Sequence, residues 1–179
     1  ISPFTAEAFA TGFVQSHADI GPMAIVEMPN GDVLVSGGAA RNQIYRFAAR
    51  GGEAVTPWVE LNHPIFDLEF DLNGRLWAAT GGGPLLELDP STGQLLAEYG
   101  DGITMAVAIE PVRGRIFVST GRGVETFDPI TKTFTRFSRD LDLRVGSLAF
   151  DSSGTLWATT CPDRRQVVRF NERQRVETV

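Results

Sequence analysis

Apolar and polar positions recur along this chain in units of about forty residues. Each unit is an apolar run, a turn ending in glycine, a second apolar run with a bulky residue at its centre, and a corner of small residues. The copies are AIVEMPNGDVLVSGG from Ala24, DLEFDLNGRLWAATG from Asp67, VAIEPVRGRIFVSTG from Val107 and SLAFDSSGTLWATTC from Ser147. Their turn glycines, Gly31, Gly74, Gly114 and Gly154, are separated by 43, 40 and 40 residues. In the second run Val33 and Val35, Leu76 and Ala78, Ile116 and Val118, and Leu156 and Ala158 share one face. Leu34, Trp77, Phe117 and Trp157 take the other. Alternation by two is the signature of a strand, and apolar residues on both faces require a sheet covered on both sides.

A third strand recurs as QIYRF, PLLEL, GVETF and QVVRF. Two copies close it with a turn written Asp89-Pro90-Ser91-Thr92-Gly93 and Asp128-Pro129-Ile130-Thr131-Lys132, where proline presets φ and the aspartate satisfies turn amides. A fourth, more polar strand follows at Trp58 to Leu61, Leu95 to Tyr99, Phe134 to Phe137 and Val176 to Val179, and no unit shows helical periodicity. Four strands in about forty residues, repeated, predict an all-β β-propeller with four four-stranded blades. The blades are expected at 19–61, 62–101, 102–142 and 143–179, after a lead-in of residues 1–18 whose segment Phe4 to Phe13 reads as one more strand of the outer type. Six or seven blades are usual, so about two or three more, roughly 80–120 residues, are expected in the parent protein. The first and last blades would otherwise each offer an uncovered face, which predicts an open arc or self-association through those faces.

These repeats resemble those of propellers grouped around NHL repeats, gluconolactonase-like proteins and virginiamycin B (streptogramin) lyase. The stretches GRIFVSTGRGVETFDPITKTFTRFSRDL and GSLAFDSSGTLWATT also resemble the propeller repeats of bacterial two-component sensor ectodomains. The resemblance covers nearly the whole chain and implies a secreted or periplasmic bacterial protein. It implies, for a gluconolactonase-like protein, a metal site at the channel floor. The gluconolactonase pattern places a metal-binding glutamate two positions before a first-blade proline, where this chain has Ile20 before Gly21-Pro22, with Asp19 adjacent. The histidine and glutamate of the lyase pattern belong to later blades, and nothing in the blades present reproduces them.

Composition narrows the partners. A formal charge of −6 and a pI near 4.9 provide no basic field for a nucleic acid. No apolar stretch approaches the roughly 18 residues of a membrane span. The single cysteine, Cys161, excludes an internal disulfide and reads as a small corner residue, with Arg164 and Arg165 as the neighbours that would activate a thiol.

Candidate chemistry lies where the repeat is broken. Loops joining second to third strands and blade to blade gather at one end of a propeller, and the first and fourth copies carry inserts there, with Arg41 and Asn42 in one and Asp163, Arg164 and Arg165 in the other. On the innermost strand Asp67 and Glu69 replace apolar or small residues. Counted back from the turn glycine, they stand where the other copies have Ala24, Val107 and Ser147, and Val26, Ile109 and Ala149. Spacing by two puts both carboxylates on one face, with His63 just before the strand as the only imidazole near an acid pair. Such carboxylates supply oxygen ligands for a divalent cation (Ca, Mg or Zn), with Asp67 and Glu69 as the metal ligands. The wider ligand-binding wall is expected to comprise Asn62, His63, Asp67 and Glu69, flanked by Arg41 and Arg122. Glu27 and Glu110 take the position of Phe70 and Phe150, which predicts a bulge or one-residue shift turning them outward. Gly81-Gly82-Gly83 precedes a strand, so it lacks the helix N-terminus that binds phosphate.

Two readings follow. The first is a non-catalytic binding scaffold whose loop face takes a small molecule, a glycan or a protein. The alternative is a metal-dependent lactonase, hydrolase or lyase completed by residues outside this segment.

Overall fold

The structure is a computed structural model that describes residues 4–100, 102, 104–138, 144–160 and 165–178. Cys161, Asp163 and Arg164 lie outside the described residues. Four four-stranded antiparallel sheets follow one another along the chain. Blade 1 is β2 (Ile25–Glu27), β3 (Val33–Gly37), β4 (Gln43–Phe47) and β6 (Val59–Glu60). Blade 2 is β7 (Asp67–Phe70), β8 (Leu76–Ala79), β9 (Leu85–Leu88) and β10 (Leu95–Tyr99). Blade 3 is β11 (Val107–Ile109), β12 (Ile116–Thr120), β13 (Gly123–Asp128) and β14 (Thr133–Arg136). Blade 4 is β15 (Val145–Phe150), β16 (Leu156–Thr160), β17 (Val167–Phe170) and β18 (Val176–Thr178). The fold is the β-propeller expected from the repeat, with no helix among the described residues.

The bulky central residue of each second strand points toward the next blade. Leu34 joins Leu68, Leu76, Leu86 and Leu88 of blade 2. Trp77 joins Val107, Ile116, Val118 and Phe127 of blade 3, with its ring 5.6 Å from that of Phe127. Phe117 joins Leu148, Leu156, Val168 and Phe170 of blade 4, edge-on to Phe150 at 5.1 Å. All three are fully buried, whereas Trp157, the fourth in the series, is half-buried on the far face of blade 4 beside exposed Val167. Among the described residues no apolar cluster joins blade 4 back to blade 1.

The hairpin turns are closed by side chains. Asp71 Oδ1 accepts the amides of Asn73 and Arg75, and its Oδ2 accepts the Trp77 indole N–H at 3.1 Å. Asp151 repeats the arrangement on Ser153, Thr155 and, at 2.7 Å, the Trp157 indole. The first and third blades have Met28 and Pro111 three residues before the turn glycine, and Leu34 and Phe117, which have no N–H to offer, at the centre. The aspartate thus accompanies the indole that needs an acceptor when buried. Asp89 and Asp128 cap the other turns in the expected way. Lys132 adopts φ 58° where blade 2 has Gly93 at 75°.

Two expectations change. Residues 4–13 do not form a full outer strand: only β1 (Ala10–Thr11) is regular, pairing in parallel with β5 (Gly52–Glu53) in the turn between β4 and β6. The cause is burial of two aromatics, Phe9 against Phe47 and Phe13 against Tyr45 and Phe47. The segment therefore covers the blade 1 face that carries Val33 and Val35. Gly51 makes this approach possible, since it adopts φ 76° and a Cβ there would overlap the Phe9 carbonyl. Gly51→Ala is expected to destabilise the fold by about 1–3 kcal/mol and to raise hydrogen exchange across residues 9–13 before it affects blades 2 and 3. Unchanged exchange in that segment would contradict this.

The second change concerns register. Glu27 pairs regularly with Val33, with no bulge. In blade 3, however, Ile109 pairs with Ile116, where Phe70 pairs with Leu76 and Phe150 with Leu156. The blade 3 turn is one residue longer, and Glu110 sits in it, outside the strand, bonded through both carboxylate oxygens to Arg115. The one-residue shift holds for Glu110 and not for Glu27.

Candidate functional site

The longer turn realigns the innermost strands. Paired against their second strands, the true counterparts of Glu69 are Val26, Ala108 and Ala149, each opposite the bulky central residue. Those of Asp67 are Ala24, Ala106 and Ser147; Val107 and Ile109 belong one position along. The layer is built of small side chains, and blade 2 alone places acids in it. In blades 1 and 3 the hydroxyls of Ser36 and Ser119 accept the amides of Ala24 and Ala106. Blade 2 has Ala79 at that place and cannot do so.

Asp67 instead reaches the neighbouring blade. Its Oδ2 accepts the Val107 amide at 3.0 Å and its Oδ1 the Leu68 amide at 3.0 Å, so one carboxylate ties β7 to β11. Burial pushes its pKa up to about 6, with the two amides holding it from rising further. Glu69, two residues on, shares this face. Burial, and then the nearby Asp67 charge, push Glu69 up to about 7. No hydrogen bond to its carboxyl is formed among the described residues.

Glu69 lines a cavity of about 400 Å³ whose other walls are Ala108 and Ile109 of β11 and Ala149 and Phe150 of β15. Pro111, Val112, Asp151 and Ser152, from the turns between first and second strands, form its rim. The cavity exists because the residues opposite Phe117 and Trp157 are alanines. It opens at the end of the blades opposite the blade-joining loops.

The remaining sequence candidates lie apart from it. His63 Nε2 is 3.2 Å from Glu98 on β10, so the imidazole is turned to the outer strand of its own blade and not to Asp67 and Glu69. Asn62 is exposed in the same loop. Arg41 stacks over Phe66 at 5.0 Å while its carbonyl accepts the Ile65 amide, and Asn42 exchanges two hydrogen bonds with Leu61. These two residues fasten the link between blades 1 and 2. Arg122 lies 3.2–3.3 Å from both carboxylate oxygens of Glu125, a buried acid on β13 that also accepts the Thr120 hydroxyl. The structure thus brings together Asp67 and Glu69 and leaves Asn62, His63, Arg41 and Arg122 elsewhere on the surface.

For a cation, Glu69 is the more available of the two acids, because each oxygen of Asp67 already accepts an amide. Among the described residues no three His, Cys, Asp or Glu side chains converge as ligands. A calcium ion takes six to eight oxygens, so one bound here would depend on Glu69 and on solvent or ligand atoms.

No protein-family model matches the chain, and no curated protein matches it by sequence. Solved structures do match in fold. Virginiamycin B lyase from Staphylococcus aureus superposes with a TM-score of 0.66 at 17% identity, over 88% of this chain and 55% of the lyase. An auxiliary nutrient binding protein from Bacteroides ovatus gives 0.67 at 15% identity, over 89% of this chain and 42% of its own. The extracellular domain of a chain named as a hybrid two-component system of B. thetaiotaomicron gives 0.62 at 14%, over 94% and 23% respectively. The chain spans about half the length of the lyase. At these identities the likeness establishes the propeller fold alone.

Proposed function

We propose that this propeller arc is a binding scaffold of a bacterial protein working outside the cytoplasm, and that it holds a small ligand against the inner strands of blades 2, 3 and 4. The observation that carries the reading is the cavity of about 400 Å³ into which Glu69 presents a carboxyl with no donor among the described residues. Such a volume falls within the range of small-molecule sites, which combine apolar walls with a few placed polar groups. The walls here are apolar, and Glu69, Asp151 and Ser152 supply the polar groups. The extracellular and nutrient-binding roles named for structural neighbours support placing the protein outside the cytoplasm.

Ligand-observed NMR with mixed monosaccharides, amino acids and simple amines tests the reading. Attenuation by the wild-type chain is expected, with recovery in Ala149→Phe, where the added ring fills the cavity. Signals that remain attenuated in Ala149→Phe would place binding elsewhere. A tight calorimetric calcium titration abolished by Asp67→Ala would favour a metal-dependent enzyme of the lactonase or lyase type instead.

A further inference from the structure

The cavity also indicates what charge its occupant carries. Among the described residues its ionisable lining consists of Glu69 and Asp151, with no lysine, arginine or histidine. The two acids differ in availability. Asp151 is spent on the Ser153 amide and hydroxyl, the Thr155 amide and the Trp157 indole. Glu69 faces a second acid on its own strand, Asp67, whose oxygens are taken by Val107 and Leu68. Beside another acid and in apolar surroundings, the Glu69 carboxyl has neither donor nor counter-charge among the described residues.

The rest of the wall constrains the occupant's body. Ala108, Ile109, Ala149 and Phe150 present hydrocarbon, and Val112 stands 80% exposed at the rim. Among the described residues an anion would meet two carboxylates and no donor side chain except the Ser152 hydroxyl. A hydrated polyol would leave most of its hydroxyls against hydrocarbon. A cation with a compact apolar body satisfies both halves of the wall.

We propose that the cavity binds an organic ammonium ion, its charged nitrogen paired with Glu69 and its hydrocarbon body packed on Ile109, Val112, Ala149 and Phe150. The proposal rests on the small-ligand reading above and specifies the chemical class.

The experiment compares three probes of one shape, 2-phenylethylamine, 2-phenylethanol and 3-phenylpropionate, by calorimetry and ligand-observed NMR at about pH 8, where the amine is charged and Glu69 is ionised. The amine is expected to bind at least about tenfold more tightly than the alcohol, and the carboxylate not at all. Glu69→Gln, which keeps the side-chain shape, is expected to lower amine affinity about tenfold or more and to leave the alcohol unchanged. Glu98→Gln, which removes an acid outside the cavity, is expected to change neither; circular dichroism confirms that both variants fold. Equal binding of amine and alcohol, or an amine affinity untouched by Glu69→Gln, would overturn the ammonium proposal while leaving the small-ligand reading in place. If no probe binds and the mixed-ligand screen is also silent, both fall together.

Discussion

Trp77→Ala is expected to lose about 3–5 kcal/mol of unfolding free energy, while Trp157→Ala loses about 1–2 kcal/mol, although the two tryptophans occupy the same place in the repeat. Trp77 is fully buried between blades 2 and 3, against Val107, Ile116, Val118 and Phe127, and its indole donates to Asp71. Removing it opens a cavity that neighbouring β-strands cannot collapse into, and it leaves Asp71 Oδ2 with Arg75 as its remaining donor. Trp157 keeps its bond to Asp151 but joins no apolar cluster beyond its own blade among the described residues. Urea unfolding followed by circular dichroism measures both. Equal losses would mean that the far face of blade 4 is covered in solution. Repeating the Trp157 measurement across protein concentrations identifies self-association as the cover, because only then does its cost grow with concentration.

Stability is expected to fall as the pH rises from about 4 to about 7, by on the order of 1–3 kcal/mol for each of two carboxyls. Asp67 at about 6 and Glu69 at about 7 lie above the values of free side chains, mainly through burial. In that window the native chain holds more protons than the unfolded chain, so raising the pH favours unfolding. The contribution is complete below about pH 4 and gone above about pH 7. Acid loss runs the other way. Asp151 is held below the usual range by the Ser153 hydroxyl and the Trp157 indole, and Asp71 is lowered as well: burial opposes its ionisation, but the Arg75 amide and Trp77 indole outweigh it. Stability from these two is present at neutral pH and lost as they protonate. The maximum is therefore expected near pH 4–5. Glu69→Gln should flatten the neutral limb and exceed the wild type in stability at about pH 7.5. A neutral limb identical in the variant would show that Glu69 ionises freely in the native state.

The architecture was legible because it depends on features that recur. Turn glycines, alternation and the central bulky residue fix period, strand direction and face, and Leu34, Trp77 and Phe117 occupy equivalent layers. What escaped depends on single residues and on empty space. Glu110 matched its copy by count from Gly114, yet one extra turn residue moved the innermost strand by a place, and only hydrogen-bond pairing exposes that. The Asp71 and Asp151 caps leave a trace in the sequence, an acid six residues before each of these tryptophans, but the spacing alone does not tell a cap from a solvated turn. The cavity left almost none. It is defined by missing bulk at Ala108 and Ala149, about forty residues apart, against an acid in a third blade. Asp67 and Glu69 were found because an acid breaks an apolar strand visibly. His63 was misgrouped because proximity along the chain does not say which side of a loop an imidazole faces, and Glu98 is 35 residues away.

The Asp–indole bond lies wholly within one hairpin, both partners falling inside a seven-residue stretch from Asp71 to Trp77 or from Asp151 to Trp157. A tandem duplication that copies such a hairpin carries the lock and its key together, without needing a compensating change in an adjacent unit. Loss of the aspartate alone strands the indole N–H, whereas loss of Trp77 leaves Asp71 still bound to Arg75 and the turn amides. By strand pairing, blade 1 has Met28 at the place of Asp71, and blade 3 has Glu110 there, an acid bound to Arg115 because Phe117 offers no indole.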